Sequence, residues 1–436
     1  MSNTLTEAAS APVLEPEQKR RWPAYALFTG NTISYVGDIL TLLAIPWFVL
    51  QTTGSVIQMG ITGFCSALPM VLSSFFGSAL VDRLGYKRTS VIGDILNGLT
   101  VMLVPLLYHT IGLAFWQLLA LVFIGGLLRS PADTAREAMV PDLAKLARMR
   151  LERANALSDG SRRGANFLGA PLAGALIALI GTSNLLWLDA VSFGFSALLI
   201  GLSVPKAALH QSKVESEQPK RGYFAELWEG VHFVRGESIV LTILIVIMIT
   251  NMLDDAYFAV VGPAYIMQIF HSAVYLGLLV SAIGGMAFVG ATIFGFIGHR
   301  FPRRLTFGIS FIVGGALRFW FLLTALFPLM LGWYLLAGRA IGPINSLINT
   351  VLQERIPPEM RARVFGLLGA GAMAAIPLGT FASGFVVAWI GLRATLALMG
   401  LIYLLATLSI LVNPALKKME KQTVSFRLYV EKPGSG

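Results

Sequence analysis

Three aspartates lie near the middle of long apolar runs of the sequence. Asp38 lies about midway along the first run, and Asp254 and Asp255 lie just past the middle of the seventh. An ionisable side chain inside a membrane is costly and usually functional. A low-dielectric surrounding disfavours the charged form, so these carboxyl groups could bind and release protons near neutral pH. Neighbouring residues on a helix point about 100° apart, so we expect only one of Asp254 and Asp255 to face a central cavity.

The alternative role for these aspartates is a permanent ion pair. Arg339, in the middle of the tenth run, and Arg318, in the ninth, are the available partners. Asn251 adds a neutral hydrogen-bonding group one turn before the seventh-run aspartates. The candidate proton-coupling or substrate residues are therefore Asp38, Asp254, Asp255, Arg339 and Asn251.

Three further aspartates also fall in apolar runs. Asp94 and Asp133 lie near run ends, where access to water and pairing with Arg129 or Arg136 favour a structural role. For Asp189, in the sixth run, a hydrogen bond between helices and a part in transport both remain open.

Metal and covalent chemistry are disfavoured by residue types and spacing. The single cysteine, Cys65, allows no intrachain disulfide and no CxxC site. The five histidines form no HxxxH pair, and none lies in an apolar run. GxSxG is also absent, so no clustered nucleophile and base is predicted. We predict no metal, no cofactor and no enzyme activity.

The elements that position these residues are twelve apolar runs. The chain is 56% hydrophobic and 13% charged, whereas soluble domains are about 25% charged. A membrane-spanning helix needs roughly 20 apolar residues, while barrel strands are shorter and alternate in polarity. The predicted spans are 25–50, 56–81, 90–108, 114–135, 163–181, 184–204, 238–266, 274–297, 305–326, 328–350, 363–390 and 394–412.

The basic residues are distributed unequally between the two membrane sides. Of 33 lysines and arginines, 27 fall in connections on the side of the N-terminus and one, Arg393, falls on the other. Because cytoplasmic loops carry the excess of basic residues, both termini are predicted to be cytoplasmic. The net charge of +10 then faces anionic inner-leaflet lipid and requires no nucleic acid.

The sequence also repeats itself. A shift of 217 aligns Asp38 with Asp255, Pro46 with Pro263 and Trp116 with Trp333, among others. After about 100 residues the register slips, and Pro171 matches Pro377 at a shift of 206. Parallel six-helix repeats are a transporter plan with the substrate site between the halves. The predicted segments are an N-terminal tail (1–24), a six-helix bundle (25–204), a linker (205–237), a second six-helix bundle (238–412) and a C-terminal tail (413–436).

The end of the linker has helical periodicity. Tyr223, Leu227, Val231 and Val234 recur at helical spacing with polar residues between them. This pattern predicts an amphipathic helix, which either lies on the cytoplasmic membrane surface or packs on the protein itself.

The connection after the second run carries a recognisable motif. The segment from Gly77 to Arg88 includes Asp82-Arg83, Gly85 and Lys87-Arg88 and resembles the loop signature of the major facilitator superfamily, with Gly77 one residue further from the aspartate than usual. The resemblance implies an all-α membrane fold of twelve transmembrane helices in two pseudo-symmetric six-helix bundles. It also implies a conformational latch near the start of span 11. The latch residues are Gly77, Asp82, Arg83, Gly85, Lys87, Arg88 and Arg363.

Other motifs are similar to one branch of that superfamily. Ser34-x-x-Gly37-Asp38, Thr53-Gly54-Ser55 and Ile376-Pro377-Leu378-Gly379 resemble the macrolide-efflux and enterobactin-exporter branch. The fifth run resembles the glycine-proline signature of antiporters through Gly169, Pro171 and Gly174, with Ala170 in place of the usual glycine.

The function implied is a proton-coupled antiporter of the plasma membrane that exports a bulky amphiphilic small molecule. An importer, or an uncoupled facilitator of a small organic solute, is the alternative. The expected partners are protons, the small-molecule substrate and membrane lipid, and the expected state is a monomer.

Overall fold

The computed structural model describes residues 21–205, 223–417 and 419. Its first half consists of six long helices joined by short connections. No strand occurs within these described ranges. The six helices are α1 (Trp22–Thr53), α2 (Val56–Leu84), α3 (Tyr86–Thr110), α4 (Phe115–Leu146), α5 (Leu151–Ile180) and α6 (Thr182–Ser203).

The second half has the same plan with more interruptions. Two π-helical segments, Tyr257–Val261 and Ile312–Ala316, and two 3-10 turns, Gly298–Arg300 and Pro358–Met360, separate its helices. The helices are α7 (Tyr223–Gly236), α8 (Ser238–Ala256), α9 (Gly262–Phe270), α10 (Ala273–Ile297), α11 (Arg303–Phe311), α12 (Leu317–Leu322), α13 (Phe327–Ile341), α14 (Pro343–Arg355), α15 (Arg361–Ala374), α16 (Ile376–Ile390), α17 (Leu392–Val412) and α18 (Pro414–Lys417).

Eleven segments of the described chain are long and apolar enough to cross a membrane. The remaining predicted span, 328–350, is not one continuous helix, because it breaks into α13 and α14 at Gly342. Pro343 lacks the N–H that would continue the helix. A Cβ at Gly342 would lie 2.2 Å from the backbone nitrogen of Ala291, so the break packs directly on α10.

The connections repeat with the register found in the sequence. Gly54 ends α1 with φ of 65°, and His271, at a shift of 217, ends α9 with φ of 53°. Each is followed by a serine whose hydroxyl caps the next helix, Ser55 for α2 and Ser272 for α10. The α5–α6 and α16–α17 connections are related by a different sequence shift. Their turn glycines, Gly181 and Gly391, both have φ of 82° and differ by 210, whereas Pro171 and Pro377 differ by 206.

The two halves meet at one end of the molecule. We call the end at which α1 begins and α17 finishes the basic end. At the opposite end a Cβ on Gly60 of α2 would lie 3.0 Å from Gly384 Cα of α16, and a Cβ on Gly174 of α5 would lie 2.7 Å from the Ala273 carbonyl of α10. Towards the basic end, a Cβ on Gly164 of α5 or Gly366 of α15 would meet nothing within 4 Å. The closest approaches between the two halves therefore lie at the end opposite the basic end.

Candidate substrate and proton-coupling site

A cavity of about 210 Å³ lies in the first half, between α1, α4 and α5. It combines acidic, basic and aromatic side chains within the membrane-spanning part of the fold. Its lining residues are Tyr35, Asp38, Ile39, Arg129, Asp133, Glu137, Arg162 and Asn166.

Asp38 is the buried acid of this cavity. Its Oδ2 lies 2.9 Å from Nη2 of Arg129, and the side chains are 5% and 47% exposed respectively. The ion pair joins α1 to α4, and the guanidinium remains accessible from the cavity. The sequence suggests Arg318 and Arg339 as partners for the mid-span aspartates and Arg129 only for Asp94 and Asp133. The position of Arg129 inside the fourth apolar run is the signal that could have identified it.

A second arginine of α4 forms a different kind of site. Arg136 is ion-paired with Asp94 of α3, and the two side chains are 2% and 0% exposed. It also donates to Ser34 of α1, at 3.2 Å, and to Ser90 of α3, at 3.3 Å. Pairing of Asp94 with Arg136 agrees with the prediction, but the expected access of Asp94 to water is wrong, because packing of α1, α3, α4 and α6 buries it.

Asp254 has its charge partner in the second half. It is ion-paired with Arg318, which is 2% exposed, and accepts a hydrogen bond from the Tyr403 hydroxyl at 3.5 Å. The guanidinium carbon of Arg318 lies 4.8 Å from the ring centre of Phe319 and 5.5 Å from that of Tyr257. Such cation–π contacts favour the charged form of arginine. One π-helical segment begins just after Asp254, and the other ends just before Arg318. Such bulges are frequent at functional sites.

Three other predicted site residues are placed differently. Asp255 and Arg339 are exposed, and neither has an ion-pair partner within the described chain. Asn251 donates to the Ala372 carbonyl at 3.2 Å, which joins α8 to α15. The predicted group is thus divided between two clusters, around Asp38 and around Asp254, with Arg318 rather than Arg339 as the paired arginine.

The predicted latch begins with two glycines that meet local requirements. A Cβ on Gly77 would lie 3.4 Å from Pro131 Cγ, so α2 lies close to α4 at this point. Gly85 has φ of 79°, a conformation that favours glycine, between α2 and α3. The side chain of Asp82 lies outside the described residues, and its contact with span 11 stays a prediction.

The basic latch residues have several roles. Lys87 donates to the Val204 carbonyl at the end of α6, with a distance of 2.5 Å. Arg83 and Arg88 are exposed. Arg363 of α15 donates to Glu229 of α7 at 3.2 Å. No sequence pattern indicates this contact between the linker helix and span 11.

The linker helix α7 packs on the protein along one side. Val234 is buried against the core, and Gly230 faces Leu367 of α15. Trp228 is 67% exposed on another side. The side chains of Tyr223 and Leu227 lie outside the described residues.

The glycine-proline motif of α5 lies where helices approach most closely. A Cβ on Gly169 would lie 3.1 Å from Ile39 Cβ of α1, next to the cavity. Gly174 faces the Ala273 carbonyl, and a Cβ on Gly277 of α10 would lie 2.4 Å from the carbonyl oxygen of Ala170. These small residues let the backbones of the two halves meet, as in other membrane helix pairs.

Two repeated helical halves around a space with buried ion pairs define a multi-pass membrane transporter. The sequence profile of the Major Facilitator Superfamily matches residues 27–253 and 243–428. The chain belongs to the major facilitator superfamily, which confirms the predicted family and all-α fold and makes it a transporter of small molecules, not an enzyme.

Proteins described as efflux proteins are similar to this chain over nearly its whole length. The multidrug efflux pump Tap of Mycolicibacterium fortuitum is 30% identical over 407 residues, which are 92% of this chain and 98% of that protein. Tap of Mycobacterium tuberculosis is 28% identical over 403 residues, 92% of this chain and 95% of that one. Macrolide efflux protein A of Streptococcus pyogenes is 22% identical over 389 residues, with 86% and 92% covered, in agreement with the predicted branch.

Solved transporters share the fold. The nucleoside transporter NupG superposes with a TM-score of 0.72 at 12% identity, with 89% of this chain and 98% of that one covered. A bacterial homologue of the human lysosomal transporter Spinster, in an inward-facing and unoccupied conformation, superposes with a TM-score of 0.69 at 14% identity, with 94% and 100% covered.

Proposed function

We propose that this protein is a proton-coupled antiporter that exports bulky amphiphilic small molecules, including drugs, by alternating access. Its relatives are described as multidrug and macrolide efflux proteins. The excess of basic residues on the side of the N-terminus favours a plasma-membrane protein with both termini in the cytoplasm. In this orientation the tight contacts between the halves lie on the outer side, as expected for the state that loads cargo from the cytoplasm for export. The transporter works as a monomer, since each chain carries both halves.

The observation that carries the proposal is the ion pair between Asp38 and Arg129. Asp38 is nearly fully buried and Arg129 is half exposed in the same cavity. A proton on Asp38 removes its charge and with it most of the attraction to Arg129. The contact between α1 and α4 then weakens, and the balance between two packings of the halves changes. A proton that enters from outside can in this way drive cargo out.

The cavity chemistry favours an amphiphilic cargo. Asp38, Asp133 and Glu137 provide three carboxyl groups, and Arg129, Arg136 and Arg162 are their respective guanidinium partners. Tyr35 and Ile39 add apolar surface. Mostly apolar pockets with a few placed charges are typical of small-molecule sites.

Uptake of a lipophilic cation into everted membrane vesicles tests the proposal. With an acidic lumen, we expect the wild type to accumulate ethidium and Asp38→Asn to lose the dependence on the pH gradient while still moving ethidium downhill. Glu152→Gln, at an exposed acid of α5, is the matched control. Unaltered coupling in Asp38→Asn would remove Asp38 from the mechanism, and gradient-driven flux in the opposite direction would favour an importer.

A further inference from the structure

A buried carboxyl group lies against α1 at Gly37, the residue before Asp38, on a helix that does not line the cavity. Asp189 of α6 is fully buried. It accepts a hydrogen bond from the Thr41 hydroxyl of α1, and Ser192 donates to its Oδ1 at 3.1 Å. Asp189 is therefore anchored to the segment of α1 that carries Asp38.

Gly37 provides the space for this carboxyl group. A Cβ at position 37 would lie 2.1 Å from Oδ1 of Asp189 and 2.2 Å from Oγ of Ser192. These distances are far shorter than any real Cβ contact, so no larger residue fits without displacing the carboxyl group. The missing side chain at Gly37 thus admits Asp189 to the backbone of α1, one residue from Asp38.

The sequence repeat gives this arrangement a counterpart. Gly37 corresponds to Asp254 at the shift of 217, and Asp254 faces the last helix of its half through Tyr403. Gly37 likewise faces the last helix of the first half. Each half therefore holds a carboxyl group at the same place, supplied by α8 in the second half and by α6 in the first.

The two carboxyl groups differ in their charge partners. Asp254 is ion-paired with Arg318, whereas the polar groups on Asp189 are the two hydroxyls of Thr41 and Ser192. Within the described residues Asp189 forms no ion pair of its own, and burying an ionised carboxylate in that setting is very costly, so a neutral, proton-bearing form is favoured. The charged groups that face Asp189 are Asp38 of α1 and Arg129 of α4, which are paired with each other.

We propose that Asp189 is a second proton-carrying residue, coupled to Asp38. It holds a proton while Asp38 is ionised and paired with Arg129, and it exchanges that proton with the cavity by way of Asp38. Because two adjacent carboxyl groups titrate as a pair, each transport cycle can carry a second proton. The inference rests on the proposed proton coupling at Asp38, and it assigns the second proton to Asp189.

Infrared difference spectroscopy of the purified protein in lipid nanodiscs tests this without any cargo. Between acid and alkaline pH, we expect comparison of each variant with the wild type to isolate one titrating carboxyl C=O band that is lost in Asp38→Asn and a second that is lost in Asp189→Asn. Removal of Asp38 shifts the pH at which the remaining band titrates. Thr41→Val keeps the acid and removes one hydrogen bond, so it shifts the Asp189 band and leaves the Asp38 band nearly in place.

The outcomes separate the two proposals. A titrating band that survives Asp189→Asn and Thr41→Val unchanged, with no second band, overturns the role of Asp189 and leaves that of Asp38 intact. Absence of a titrating band from Asp38, together with transport independent of the pH gradient, overturns the proposed function instead. Retention of the Asp189 band at every pH shows a permanent hydrogen-bonding role and also overturns the inference.

Discussion

At the scale of single residues, the two arginines of α4 differ in how completely their hydrogen-bonding groups are satisfied. Arg136 is buried and bonded to Asp94, Asp133, Ser34 and Ser90. Arg129 is half exposed and pairs with Asp38. A buried guanidinium with a complete set of partners holds helices together, whereas one with an accessible face can change partners.

Arg136→Ala should therefore destabilise the fold. It leaves Asp94 buried without its counter-charge, which costs about 3–5 kcal/mol. Thermal unfolding in detergent should show a clear loss of stability, and the double variant Asp94→Leu with Arg136→Met should recover most of it, since both charges are then absent. Arg88→Ala, at an exposed arginine, is the control. Equal stability of Arg136→Ala and Arg88→Ala would contradict this account.

At the scale of helices and their connections, glycines set where the chain turns and where helices meet. Gly181 and Gly391 begin α6 and α17 with φ of 82° and ψ of 162° and 164°. This backbone region is essentially restricted to glycine. Gly60 and Gly384 serve a second purpose, because their missing side chains bring α2 and α16 together.

The turn glycines give one prediction. Gly181→Ala and Gly391→Ala should each lower the free energy of unfolding by about 1–3 kcal/mol, since alanine is strained at this φ and ψ. Gly194→Ala in α6 is the matched control, because a Cβ there meets nothing within 4 Å and alanine favours helix. Thermal unfolding of the three variants tests this prediction, which is wrong if Gly194→Ala is the least stable.

The glycines at the contact between α2 and α16 give a further prediction. Gly384→Val should disfavour the state closed at the end opposite the basic end by about 1–3 kcal/mol, because its side chain would overlap the α2 backbone. That is roughly a 5- to 150-fold shift in population. Distances between spin labels at Ile111 and Leu326, on a Cys65→Ser background, should lengthen. Gly366→Val, which has free space in this state, should leave them unchanged, and an unchanged distance in Gly384→Val would refute the prediction.

At the scale of the whole molecule, a duplicated fold uses its two halves differently. The first half places an accessible ion pair in a cavity, while the second encloses Arg318 among aromatic rings. The position that corresponds to Arg129 is Ser346, so the second half has no equivalent guanidinium there. Because the first half places a half-exposed guanidinium, Arg129, in an ion pair within the described cavity, our proposal assigns proton coupling to that half.

The orientation of the whole molecule can be checked by labelling. On a Cys65→Ser background, Arg150→Cys at the basic end should react with a membrane-impermeant maleimide only in everted vesicles. Ile111→Cys, at the opposite end and 77% exposed, should react only in intact cells. Labelling of both positions from the same side would refute the predicted topology.

The sequence by itself determined the crossings, the distribution of basic residues, the repeat and the family. These follow from local properties: an apolar run of sufficient length forms a helix in a membrane whatever its neighbours are, and turn glycines and loop charges act where they stand. It also placed acidic groups inside the membrane and named Arg136 as a partner for Asp94.

Only the tertiary structure decided which charges pair and where the two halves close on each other. Asp38 meets Arg129, and Asp254 meets Arg318, because helices distant in sequence pack at particular angles and rotations. Gly37 admits Asp189 for the same reason. The break at Gly342 depends on the fit of α13 and α14 against α10. The end at which the halves close reflects a choice between two packings of one sequence, and no local pattern encodes that choice.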